Sequence, residues 1–127
     1  MSLLEGACRE VLDLTEVVAL VTQGPEGPHI TATWGDYVRT LGIGDDRLVI
    51  PAGSYHQMEA NLARSPEIQV LVASRRVQGT IGMGQGFTLT GTGTIVDSGE
   101  DMDRVKANFP WARGALIVEI TEAVAHL

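Results

Sequence analysis

The chain has 127 residues, enough to bury one hydrophobic core but not two. Apolar residues make up 44% and charged residues 20%, spread along its length, which excludes a disordered segment or a bilayer-spanning run. A net charge of −7 without any basic stripe argues against a nucleic-acid partner. The opening Met1-Ser2-Leu3-Leu4-Glu5 has no basic region leading into an apolar stretch, so it does not read as a secretory signal. The single cysteine, Cys8, forbids an internal disulfide and fits a reducing compartment, so a cytoplasmic location is expected.

Leu3, Leu4, Ala7, Cys8, Val11 and Leu12 recur at spacings of three and four, which predicts an amphipathic helix with Cys8 on its buried side. Val17 to Thr22 is a β-branched-rich strand closed by the turn cluster Gly24-Pro25-Glu26-Gly27. His29 to Trp34 sets Ile30, Ala32 and Trp34 against His29, Thr31 and Thr33, a strand with two faces. Tyr37 to Ile43 and Arg47 to Ala52 are predicted as a strand pair around Gly44-Asp45-Asp46. Ser54 with Gln57 predicts a capping box opening a helix, with Tyr55, Met58 and Leu62 on one side and Ser65-Pro66 at its end.

Gln69 to Ala73 is a further strand, and Arg75 to Gly86, with four glycines, is predicted as a long loop. In Phe87 to Val96, Phe87, Leu89, Gly91, Gly93 and Ile95 take one face and four threonines the other. Glycines there mark tight curvature or close approach of another backbone. Met102, Val105 and Phe109 predict a short helix between Gly99 and Pro110, and Leu116, Val118 and Ile120 alternate in a last strand. The whole, residues 1–127, is expected to be one mainly β domain: a six-to-seven-stranded antiparallel β-barrel with short flanking helices.

Catalytic machinery is not evident. Gly82-x-Gly84-x-Gly86 lacks dinucleotide-binding spacing and leads into a strand, so no helix N-terminus stands behind it. His29, His56 and His126 lie far apart without zinc-like spacing, and no nucleophile with a base and an orienting carboxylate is recognisable. Neither catalytic residues nor metal ligands are therefore expected; any chemistry would be a cofactor's.

Several segments, read in order, carry a resemblance: Gln23-Gly24 with Gly27-Pro28-His29, Thr33-Trp34 with Tyr37, and Pro51-x-Gly53 with His56. Glu59-Ala60-Asn61, Ala63-Arg64, Ser74-Arg75, Gly86-Phe87 and Trp111-Ala112-Arg113 complete the set. From about Val17 to Leu127 the chain resembles the FMN-binding split-barrel, or pyridoxamine 5'-phosphate oxidase-like, family. The resemblance implies a split barrel, a homodimer, and FMN held non-covalently near the dimer interface. It implies that Thr33, Trp34 and Tyr37 border the isoalloxazine ring and that Pro51, Ala52 and Gly53 pass along the flavin. The helix from Ser54, with His56, Gln57 and Met58, would aim its N-terminus at the phosphate.

Trp111 and Leu127 of a second subunit would then close the ring pocket. Relatives carry a lysine and a threonine for the phosphate where this chain has Gln57 and Met58, leaving Arg75 or Arg76 as the alternative cation. The implied function is that of a small redox or electron-transfer flavoprotein, or flavin oxidoreductase, with a redox protein as partner. The alternative is a ligand-binding or interaction barrel that has lost tight FMN binding.

Overall fold

The opening amphipathic stretch forms α1 (Gly6–Leu14) in the computed structural model, which describes residues 2–127. Its Cys8, Val11 and Leu12 share one face at helical spacing and pack with Val18, Leu20, Val70 and Leu89. Those partners belong to one sheet of six strands: β1 (Val17–Gly24), β2 (Gly27–Trp34), β3 (Arg47–Ala52), β4 (Glu67–Gln78), β5 (Met83–Val96) and β6 (Gly114–Ala125). The spatial order is β2-β1-β4-β5-β6-β3, and every neighbouring pair is antiparallel. The sheet curls into a half-barrel flanked by four short helices, the mainly β architecture expected, with six strands. None of the helices among the described residues is long and apolar enough to cross a membrane.

The expected strand from Tyr37 to Ile43 is instead α2 (Gly35–Leu41). Val38 and Leu41, three apart, both turn inward, whereas a strand would send them to opposite faces. Arg39 secures the helix: its guanidinium pairs with Asp36 at 2.6 Å and donates to the carbonyls of Leu12 and Thr15, each at 2.9 Å. Gly42 (φ 92°) ends it, and only an isolated bridge between Ile43 and Leu48 remains of the expected hairpin.

The long loop from Arg75 to Gly86 is also replaced. β4 continues to Gln78 and β5 begins at Met83, so the glycines build a tight hairpin in which the Gly79 N–H donates to the Gly82 carbonyl at 2.8 Å. The Ser54 capping box does not form. Helix α3 (His56–Arg64) starts one residue later than that cap requires, with Tyr55 at its N-cap and no side-chain cap. The Gln57 amide donates to Asn61 Oδ1 at 2.9 Å, and the buried Asn61 donates to the Thr22 hydroxyl at 3.0 Å. Satisfying a buried amide outweighs capping a solvated turn.

On β5 the expected faces hold: Phe87, Leu89, Gly91 and Gly93 are buried. Opposite Gly91 the β5–β6 register slips, Thr90 facing Glu122 and Gly91 facing Ile120, so Thr121 is an extra residue. Its hydroxyl donates to the Thr90 carbonyl at 3.2 Å. The bulge reverses the phase of β6. Leu116, Val118 and Ile120 face the main core, and beyond the bulge Ala123 packs against it. Between them, Ala115 and Ile117 face a second cluster under α4 (Glu100–Asn108), with Val49, Met102, Val105 and Phe109.

A Cβ at Gly91 would lie 2.0 Å from the Glu119 carbonyl oxygen, so Gly91→Ala should cost about 3 kcal/mol, read as a lowered urea midpoint. Asp101 of α4 is bonded by both ends of the Arg47 guanidinium, which holds its carboxyl below the usual carboxylate value. That contribution is present above the unfolded carboxylate pKa and is lost as the pH falls through the folded one. Asp101→Asn should cost roughly 0.5–1 kcal/mol at neutral pH, the deficit closing below about pH 4 in parallel denaturation curves.

Candidate functional site

The sheet does not close: β2 and β3 are its two margins. Where their C-terminal ends converge lies a cleft of about 200 Å³ lined by Ala32, Thr33, Trp34, Tyr37, Pro51, Gly53, Ser54, Tyr55 and Trp111. It draws on four parts of the chain: the end of β2, the first turn of α2, the end of β3 with its connection to α3, and the segment after α4.

Each wall has a local cause. Ile30, Ala32 and Trp34 occupy the outward face of β2, so Trp34 stands 52% exposed while Thr33 is buried. Tyr37 reaches the cleft because α2 turns it toward Phe109 and Trp111. Ring centroids lie 4.8 Å from Tyr37 to Phe109, 5.9 Å from Tyr37 to Trp111 and 5.8 Å from Phe109 to Trp111. Gly53 lies beneath the Trp111 ring: a Cβ there would stand 3.1 and 3.3 Å from two of its carbons. Arg113 fastens the same connection. Its N–H donates to the Ala52 carbonyl at 2.9 Å, its Nε donates to the Gly53 carbonyl, and its guanidinium pairs with Glu59 at 3.0 Å.

Tyr55 spans the gap between the two margins, its hydroxyl donating to the Ala32 carbonyl at 2.7 Å. Burial pushes its phenol above the ordinary value, the neighbouring Tyr37 acts the same way, and a hydrogen bond with Thr33 opposes them. Tyr55 is thus a neutral donor across the physiological range. The helical pattern marks Tyr55 only as a core-side residue; its position directly after Gly53-Ser54 is the signal for a site wall. Trp34 and Tyr37 also wall a second cavity of about 420 Å³ with Leu14, Thr15, Glu16, Asp36 and Arg39. Glu16 and Arg39 join it only because α2 packs back on α1, which the strand reading of Tyr37 to Ile43 conceals.

Of the residues expected at the site, the structure brings together Thr33, Trp34, Tyr37, Pro51, Gly53, Ser54 and Trp111. Trp111, expected from a second subunit, lines the cleft of its own chain. Ala52 is fully buried beside the cleft and pairs with Gly114. His56 and Gln57 are exposed on the first turn of α3, with Gln57 committed to Asn61, and Met58 is 1% exposed in the core. Arg75 and Leu127 lie elsewhere, lining a concavity of about 310 Å³ with Ala73, Gly86 and His126.

Residues 4–122 match the family described as pyridoxamine 5'-phosphate oxidase. An FMN-binding protein of Nitratidesulfovibrio vulgaris (strain DSM 19637 / Miyazaki F) is 38% identical over 121 residues, 95% of this chain and 97% of that one. Among solved structures, HupZ of Group A Streptococcus superposes with a TM-score of 0.71 at 16% identity, covering 91% of this chain and 90% of that one. An FMN-binding protein from Syntrophomonas wolfei subsp. wolfei superposes with a TM-score of 0.65 at 16% identity, covering 94% and 83%. At such identities the superpositions speak for the fold, while the profile and the 38% identical relative speak for descent: the chain belongs to the pyridoxamine 5'-phosphate oxidase family.

Proposed function

We propose that the chain binds FMN in the cleft at the open edge of its barrel and works as a homodimeric redox flavoprotein. The observation that carries this reading is the convergence of Trp34, Tyr37 and Trp111 with Gly53 beside the first turn of α3. Flat aromatic walls suit a planar ring system, and the absent side chain at Gly53 leaves the Trp111 ring seated on the backbone. The name of the Nitratidesulfovibrio relative supports the same cofactor. Bound there, the flavin would supply the electron chemistry, and the protein its position and shielding.

The phosphate side fits through the backbone. The first bond into α3 runs from the Glu59 N–H to the Tyr55 carbonyl at 2.9 Å, so the preceding N–H groups of the first turn are open to an anion, with the Ser54 hydroxyl exposed beside them. Side chains contribute less. Gln57 is engaged by Asn61, Met58 is buried, and the guanidinium of Arg113 already serves Gly53 and Glu59. This favours a second reading in which the cleft takes a ring ligand without tight hold of a phosphate.

Dimerisation is supported by the outer face of the sheet. α4 covers that face over β3 and β6, but Val17, Ile30, Trp34, Leu71 and Val124, 43–70% exposed, lie bare on the other strands. Cross-strand register aligns Ala32, Ala19, Leu71, Thr88 and Val124 in one row free of charge. A bare apolar face of this kind suits a second copy. A cytoplasmic site of action accords with the free, buried Cys8.

Incubation with excess FMN followed by desalting should leave visible flavin absorbance at one flavin per chain; a colourless protein favours the phosphate-independent reading. Gly53→Ala should displace the Trp111 ring and weaken FMN binding about tenfold, measured by quenching of flavin fluorescence.

A further inference from the structure

β2 is a margin of the sheet and pairs only with β1, so its Ala32–Trp34 end, which carries the indole wall of the cleft, has no strand on its outer side. Helix α3 is tied to the β1–β2 hairpin at the other end of that strand. The Asn61 amide donates to the Thr22 hydroxyl at 3.0 Å and the Arg64 guanidinium to the Gln23 carbonyl at 2.9 Å, and Thr22 and Gln23 pair with His29 and Pro28, away from Trp34. The N-terminal end of α3 is held from the opposite side, where Arg113 pairs with Glu59 at 3.0 Å.

Between the Trp34 end of β2 and the start of α3, the connection is Tyr55. It is the N-cap residue of α3, its ring packs against the main core, and its hydroxyl donates to the Ala32 carbonyl at 2.7 Å. Among the described residues no other side chain of the β3–α3 connection or of α3 hydrogen-bonds to β2. With its hydroxyl given to a backbone carbonyl, the phenol offers its donor to the fold and not to a ligand, so its bearing on the cleft is through position.

We propose that Tyr55 is a positioning residue for the flavin: its bond to Ala32 fixes the spacing between the ring wall at Trp34 and the open N–H groups at the start of α3, so that one FMN reaches both at once. The inference rests on the FMN-binding reading above. A ligand that makes two contacts gains from the second only as far as the two sites are already held at the span of the ligand; ordering a loose margin subtracts from that gain. Riboflavin carries the same ring and ribityl chain without the phosphate, makes the ring contact alone, and does not need the spacing.

The test is titration of the full chain with FMN and with riboflavin, each followed by quenching of flavin fluorescence. The parent should hold FMN more tightly than riboflavin. Tyr55→Phe, which removes only the hydroxyl, should weaken FMN about tenfold and change riboflavin by less than about twofold, so that the preference for FMN shrinks. If both ligands weaken by the same factor, Tyr55 is a wall or a structural support and the proposal is wrong; if neither weakens, it is wrong as well. A parent that holds riboflavin as tightly as FMN overturns the proposal while flavin binding in the cleft survives, and a parent that takes up neither overturns both. Should Tyr55→Phe not fold, Tyr55→Leu enters the same two titrations. The ratio of the two affinities is again the readout, since a lost ring contact lowers both ligands together: a shrunken ratio supports the positioning role and an unchanged ratio refutes it.

Discussion

The rest of the molecule hangs on the contact between β5 and β6 at Gly91, where the Glu119 carbonyl oxygen occupies space that any side chain would need. Two backbones approach this closely only across a glycine, and the extra Thr121 opposite converts the approach into a bend. Ordinary alternation lets β6 serve two cores, Leu116, Val118 and Ile120 below and Ile117 toward α4 above, and the bend beyond Ile120 reverses the phase so that Ala123 returns to the main core. β3 pairs only with β6, so the path of β6 decides where Pro51 and Gly53 end up.

The cleft is a consequence of that path. A fully closed barrel would pair β2 with β3 and leave no edge, whereas here the gap is bridged by one phenol, Tyr55 to the Ala32 carbonyl. The aromatic walls cost little to hold open, because Tyr37 and Trp111 rest on Phe109, itself anchored in the second core. Electrostatics play a smaller part. The chain carries a net charge of −7, and the guanidinium of Arg113, which fastens the β3–α3 connection, is already balanced by Glu59. An anion at this cleft would depend on backbone dipoles and donors more than on net charge.

Much of the fold was legible because it rests on local periodicity. α1, β1, β2, the α4 helix and the two faces of β5 follow from apolar spacing, which reports one-sided burial directly. The misread segments share a different cause. Tyr37 to Ile43 carries β-favouring residues, but the inward pair Val38 and Leu41 and the reach of Arg39 to Leu12 and Thr15 make it a helix. The glycines between Arg75 and Gly86 look like loop until β4 and β5 pair across them. Ser54 and Gln57 have the spacing of a cap, but Asn61, buried against Thr22, claims the amide.

The sequence by itself determined the residue types available to a site: two tryptophans, two tyrosines and a glycine before a helix. It also determined the family, through an ordered set of short segments that no single motif carries. Only the tertiary structure decided which of those residues meet. Trp34 and Trp111 are far apart in the chain and share a cleft because two sheet margins converge without pairing. Arg75 and Leu127 also meet, but on another surface, because a buried amide at Gln85 substitutes for a strand residue that periodicity cannot register. Local spacing fixes which way a side chain points; long-range pairing and the satisfaction of buried polar groups fix what it points at.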